Sequence, residues 1–188
     1  MDALDQQKRA LREAVKKRMP SPGTPEHLAS SLAAQDRLSR SDLLQGARVI
    51  GLYRALPSEC GTSALATALL AAGKELCYPV ATPSLRPLSF RRASGLFVRG
   101  ALGIEEPEGS PVLLEDLDVL VVPALAVDPR GHRLGRGRGH YDATLAEASA
   151  LSIALIFEVQ VVQEVPVGEH DRPVSAVCTE ARLWRVQG

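Results

Sequence analysis

The sequence predicts an α/β fold: a single three-layer domain with a central, mostly parallel sheet flanked by helices. Two observations predict it. Short β-branched or apolar runs alternate with helical stretches of about 10 to 15 residues, the pattern of βαβ units. The most apolar run, "LDVLVVPAL" at 117–125, is continuous rather than alternating, as expected of a central strand covered on both faces. Length agrees, because 188 residues hold one substantial core and leave no room for two domains of about 150 residues.

The elements follow in order. Residues 2–19 place Leu4, Leu11 and Val15 at helical spacing among Lys8, Arg9, Arg12, Lys16 and Lys17, which predicts a basic amphipathic helix. "PSPGTPE" (20–26) is rich in turn formers, and Thr24-Pro25-Glu26 reads as an N-cap with proline at the first helical position. That helix should run to about Gln45. "ARVIGLY" (47–53) predicts a strand, "TSALATALLAAGK" (62–74) a helix stopped by Gly73, and "ELCYPV" (75–80) the next strand. Residues 84–110 read as an irregular excursion holding shorter, hairpin-like strands. Beyond the central strand, a glycine- and arginine-rich loop leads to a helix starting at Tyr141 or Asp142. "LSIALIF" (151–157) returns as a strand, "RPVSAVCT" (172–179) is the last, and Trp184 anchors the tail by packing.

Composition excludes several classes. Twenty-two Lys and Arg balance 22 Asp and Glu, so no global field gathers nucleic acid or an anionic membrane, and any positive potential must be local. Three cysteines, Cys60, Cys77 and Cys178, are an odd number without CxxC spacing, which argues against a disulfide framework and a thiolate metal site. The longest apolar stretch, Val119 to Val127, falls short of the roughly 20 residues that span a bilayer. The N-terminus carries Asp2, Asp5 and Glu13 without an apolar segment, so no signal peptide is expected. A cytoplasmic protein follows as the expectation, and a monomer, since no heptad repeat is present.

"GHRLGRGRGHYD" (131–142) concentrates the chemistry. Gly135, Gly137 and Gly139 permit positive φ and close approach of a ligand to backbone N–H groups. Beside a helix N-terminus such groups hold anions, usually phosphate. Arg133, Arg136 and Arg138 add guanidinium forks suited to phosphate oxygens. Asp142 supplies a carboxylate of the kind Mg²⁺ takes together with phosphate. The set reads as a site for a polyphosphate with its metal. Neither a Walker A loop nor GxGxxG is met; a solvated surface loop and a single RGG-like RNA contact are the other readings of the stretch, the last weak in a neutral chain with 4% aromatics.

The stretch "VVPALAVDPRGHRLGRGRGHYDATLA" resembles the signature of the 5-formyltetrahydrofolate cyclo-ligase family, with Pro123, Asp128, Gly131, Arg133, Leu134, Gly135, Gly137, Gly139, Tyr141 and Asp142 in register. "KRALR" (8–12), "SECGT" (58–62), "GIEEP" (103–107) and "EHDRPV" (169–174) extend the likeness, which is weak at 20–45 and 80–100. The resemblance implies a single α/β domain that uses ATP and Mg²⁺ to convert 5-formyltetrahydrofolate to 5,10-methenyltetrahydrofolate. It implies that Lys8 and Arg12, on the N-terminal helix packed over the nucleotide site, fold over the ATP phosphates. Arg133, Leu134, Gly135, Arg136, Gly137, Arg138, Gly139, His140 and Tyr141 would cradle those phosphates. Glu59 would hydrogen-bond the pterin, and Arg136 to His140 would meet the folate along their inner side. Asp142 and Asp171 would serve the metal, and Arg136, Arg138 and Lys8 would carry catalysis by neutralising transferred charge.

The chain departs from the family pattern at three places: His140 where an aromatic is usual, Val127 where an aromatic commonly walls the pocket, and Ser175 where a second C-terminal aspartate is common. The alternative is therefore a family relative that binds folate or nucleotide without turnover. A sugar-phosphate or CoA-ester enzyme on a similar fold is a third reading.

Overall fold

The computed structural model describes residues 3–80, 87–100, 103 and 105–187. Among the described residues the α-helices are α1 (Ala3–Lys16), α2 (Pro25–Ser39), α3 (Ser63–Ala71) and α4 (His140–Glu147). The strands are β1 (Val49–Gly51), β2 (Glu75–Val80), β3 (Ser89–Arg92), β4 (Phe97–Arg99), β5 (Glu105–Pro107), β6 (Pro111–Val112), β7 (Val119–Val122), β8 (Ala126–Val127), β9 (Arg133–Leu134), β10 (Leu151–Leu155), β11 (Ala176–Cys178) and β12 (Leu183–Arg185).

Continuous burial in the sequence becomes two-sided burial in the sheet. All four β7 residues are buried, and their pleat sends Val119 and Val121 to one face and Leu120 and Val122 to the other. On the first face they pack with Ile50, Ile153 and Leu155 against Ala34 and Leu38 of α2 and Leu65 and Leu69 of α3. On the second, Leu120 and Val122 join Phe90, Ala154 and Val177, with Leu145 of α4 laid over them. Three layers result.

One eight-stranded sheet runs β12-β11-β10-β7-β1-β2-β3-β6. The inner five strands, β11, β10, β7, β1 and β2, pair in parallel. The edges reverse: β12 is antiparallel to β11, and β3 to β2 and β6. β8 and β9 form a separate hairpin, over which α1 packs Val15 beside Ala126, Leu134 and Val165.

Several boundaries differ from expectation. The helix predicted to reach Gln45 ends at Ser39, because Ser39 and Ser41 turn their hydroxyls onto the carbonyls of Asp36 and Leu38 and break the ladder. Its start is as read: Thr24 Oγ1 accepts from His27 N at 3.3 Å, with Pro25 in the first turn. The basic helix ends at Lys16 and α4 begins at His140. The run 172–179 yields only Ala176–Cys178, and the last strand is β12, which contains Trp184. The chain reverses there through a turn in which Thr179 N donates to Arg182 O at 2.8 Å. The excursion expected over 84–110 holds β3 and the β4–β5 hairpin; residues 84–86, 101, 102 and 104 lie outside the described residues.

Candidate active site

A cleft of about 580 Å³ opens where the parallel strands end. Tyr53 and Arg54 reach it from beyond β1, Pro79 from the end of β2, and Pro123, Ala124 and Leu125 from the end of β7. This is the side on which open α/β sheets collect ligands, and the volume suits a small molecule or cofactor.

The glycine loop forms one wall. After β9 the backbone turns twice through left-handed geometry, at Gly137 (φ 96°) and Gly139 (φ 69°), and Gly139 caps α4. A side chain at either position would be strained. Gly135 does not share this conformation; its carbonyl instead accepts from Arg12 Nε at 2.9 Å. The loop is thereby tied to α1, 123 residues away.

Every site residue read from the sequence lines this cleft: Lys8, Arg12, Glu59, Arg133 through Asp142, and Asp171. Among the described residues, six cationic side chains line it against four acidic ones, so a neutral chain carries a positive cleft. Most of these cations are already paired. Lys8 meets Asp171, Arg133 Nη2 lies 2.9 Å from Asp142 Oδ1, and Arg136 Nε lies 3.0 Å from Glu59 Oε1. Arg136 also donates from Nη2 to Ser58 Oγ at 3.0 Å. Arg138 makes no ion pair or hydrogen bond among the described residues.

Burial sets the electrostatics. The Arg133 side chain is only 2% exposed. Burial lowers its pKa, while Asp142, Tyr141 and Asp171 support its charge. Its guanidinium also lies 5.6 Å from the centre of the Tyr141 ring. For Asp171 burial acts to raise the pKa, but the Lys8 ammonium, the Gly168 N–H at 2.5 Å and the Arg133 charge outweigh it and hold the carboxyl below its ordinary value. Burial raises the Tyr141 phenol, with Glu59 adding to the effect.

The two carboxylates keep spare oxygens that bear on metal binding. Asp142 uses Oδ1 for Arg133, and Asp171 uses Oδ2 for Lys8 and Gly168 N. The second oxygen of each accepts no hydrogen bond among the described residues. Two such carboxylates suit Mg²⁺, which completes its shell with water and phosphate oxygens.

Two of the departures lie elsewhere. Val127 does not wall the cleft; it is fully buried in β8, pairs with Arg133 and bridges to Val161. Ser175 holds its hydroxyl 3.1 Å from that of Ser152, outside the cleft lining. His140 does line it. Asp128 of the signature is buried and accepts from the N–H groups of Arg130, His132 and Val165; it shapes the hairpin. Sequence reasoning missed the apolar wall of Tyr53, Leu56, Pro79, Leu88 and Leu125, together with Arg54. These residues share no local pattern, and only their positions at or near strand ends mark them.

Residues 4–180 match the 5-formyltetrahydrofolate cyclo-ligase family. The chain belongs to that family. It is 35% identical to the 5-formyltetrahydrofolate cyclo-ligase of Mycolicibacterium smegmatis, over 96% of this chain and 91% of that one. It is 33% identical to the Escherichia coli enzyme of the same name, over 73% and 81%. The solution structure of Aquifex aeolicus 5,10-methenyltetrahydrofolate synthetase superposes with a TM-score of 0.84 at 29% identity, covering 96% of this chain and 93% of that one. As a member of this family the chain is an enzyme, a ligase, and its three-layer sheet is the fold of that neighbour.

Proposed function

We propose that the cleft cyclises 5-formyltetrahydrofolate to 5,10-methenyltetrahydrofolate at the expense of ATP, with Mg²⁺, releasing ADP and phosphate. The observation that carries the reading is the convergence of Lys8, Arg12, Arg133, Arg136 and Arg138 on one cleft with an apolar wall. A triphosphate needs the cations, and a pterin needs the wall.

The formyl oxygen attacks the γ-phosphorus, forming an O–P bond as the bond to ADP breaks. N10 of the folate then attacks the activated carbon, a C–N bond forms, N10 gives up its proton to the departing phosphate, and the C–O bond breaks as phosphate leaves. Both nucleophiles belong to the substrate, so the protein contributes position and charge. Lys8, Arg136 and Arg138 neutralise the transferring phosphoryl group. Arg12 and the backbone from Arg133 to Tyr141 hold the remaining phosphates, and Asp142 and Asp171 would hold the ion. When bound, Mg²⁺ screens the phosphate oxygens. Glu59 already accepts from Leu56 N at 2.9 Å and from Arg136. A carboxylate offers about four lone-pair sites, which leaves capacity for a pterin N–H.

The test is the near-ultraviolet absorbance of methenyltetrahydrofolate when purified protein meets 5-formyltetrahydrofolate. A rise only with both ATP and Mg²⁺ supports the proposal. Folate binding without any rise overturns it in favour of a binding relative.

A further inference from the structure

Arg133 differs from the neighbouring cations of the cleft. Arg136 leaves 42% of its side chain exposed and Lys8 16%, but Arg133 only 2%, and its Nε is buried with no hydrogen-bond partner among the described residues. A phosphate arriving in the cleft meets almost none of this guanidinium. Its neighbours are carboxylates and a ring instead. Nη2 donates to Asp142 Oδ1 at 2.9 Å, the centre of the Tyr141 ring lies 5.6 Å away, and the charge acts on Asp171 as well as on Asp142. Arg133 thus stands within the field of both aspartates.

We infer that Arg133 is a positioning residue that serves the two aspartates rather than the triphosphate, and that by neutralising them it makes the divalent ion enter together with the nucleotide rather than ahead of it. The inference rests on the ATP and Mg²⁺ reading above.

Charge and geometry support this. A buried ion pair adds little stability, because the loss of hydration offsets the Coulomb attraction. The guanidinium behind Asp142 instead holds Oδ1 and leaves the other oxygen without a hydrogen bond among the described residues, the arrangement by which an outer group orients a metal ligand. Arginine stays charged even when desolvated, so this support persists. Two cations, Lys8 and Arg133, are paired with the two aspartates; the four charges cancel, and a bare divalent ion finds no net attraction there. ATP changes that. Its phosphates draw Lys8 away from Asp171 and bring oxygens of the kind Mg²⁺ takes beside one or two carboxylates. Arg133, sunk below the surface, stays in place and keeps Asp142 oriented.

The experiment follows Mn²⁺, a paramagnetic substitute for Mg²⁺, by the electron spin resonance of the free ion, and ADP by calorimetry in EDTA. Wild type is expected to bind Mn²⁺ about tenfold or more tighter with ADP present than alone, a coupling of ordinary size. Arg133→Met strips a cation from the aspartates. Mn²⁺ without nucleotide should then bind about tenfold tighter than to wild type, the order expected for one unit charge acting on a dication across several ångströms of water. A side chain that merely packs would not raise metal affinity when removed, and unchanged or weaker Mn²⁺ binding overturns the inference. Arg133→Met combined with Asp142→Asn removes both charges of the pair, so the cleft keeps its net charge and the decision does not depend on the single variant folding. In EDTA this double variant should bind ADP within about twofold of wild type, while the gain on adding Mn²⁺ falls by roughly 10- to 100-fold. A loss of about tenfold or more in EDTA would mean that the guanidinium grips phosphate, which also overturns the inference. If ADP and Mn²⁺ bind as expected but no methenyl product forms, the reaction proposed above fails and this inference stands. If product forms while Mn²⁺ binds wild type equally with and without ADP, this inference alone falls. If wild type binds no ADP, both fall.

Discussion

Arg136 is set in place before any ligand arrives. Glu59 and Ser58 grip its guanidinium from two sides, and such fixed charge is what phosphoryl transfer draws on. Arg136→Ala is expected to lower kcat by about 100-fold or more, while thermal unfolding stays close to wild type because the side chain is 42% exposed. Unchanged kinetics in the folded variant would remove Arg136 from the mechanism. Away from the cleft, His27 is 7% exposed and neither ring nitrogen has a hydrogen-bond partner among the described residues. Its ring packs 5.1 Å from that of Phe157. A buried polar group without a partner costs roughly 1–3 kcal/mol, so His27→Leu should raise stability by about 1 kcal/mol in urea unfolding. A loss of stability would show that the imidazole is satisfied in solution.

Among the elements, α1 buries a single residue. Its buried contribution is Val15, backed by Leu11 and Met19 in a small cluster with Ala126, Leu134 and Val165. Lys8 to Asp171 and Arg12 to Gly135 complete the attachment. Because Asp171 is held below its ordinary pKa in the folded protein, its contribution is fully present above the unfolded carboxylate value. It is lost as pH falls through the lower folded value. Hydrogen exchange of residues 3–16 should therefore accelerate in acid before that of the sheet does. In Asp171→Asn it should already be fast at neutral pH and respond less to acid. Equal exchange in wild type and variant would mean that the apolar cluster alone retains the helix.

For the whole molecule, burial makes the thiols a gauge of global unfolding. Desolvation pushes Cys60 and Cys178 up to about 12 and Cys77 to about 11, and all three are free and buried. Thiolate is the reactive form. Iodoacetamide at pH 8 should leave the native chain unlabelled and modify all three cysteines once denaturant unfolds it. Labelling of Cys60 alone would reveal local opening between β1 and α3.

The order of strands and helices, the cap at Thr24 and the glycine loop were legible because each rests on local chemistry: periodicity, side-chain hydrogen bonding to adjacent backbone, and backbone freedom. The family signature was legible for the same reason, being contiguous. Element ends were less so, because Ser39 and Ser41 stop α2 by hydroxyl contacts that compete closely with the ladder. The sequence by itself therefore determined the α/β alternation, the two-sided burial of β7 and the concentration of cations at 133–138. Tertiary structure alone decided which cation meets which acid. Lys8 and Asp171 stand 163 residues apart, and Arg54 finds Glu105 only because the β4–β5 hairpin places it there. Tertiary structure also took Val127 into the core and made Asp128 a support for backbone. Pairing across such separations depends on where packed strands end and in which direction their side chains leave the sheet, which no local pattern of residues encodes.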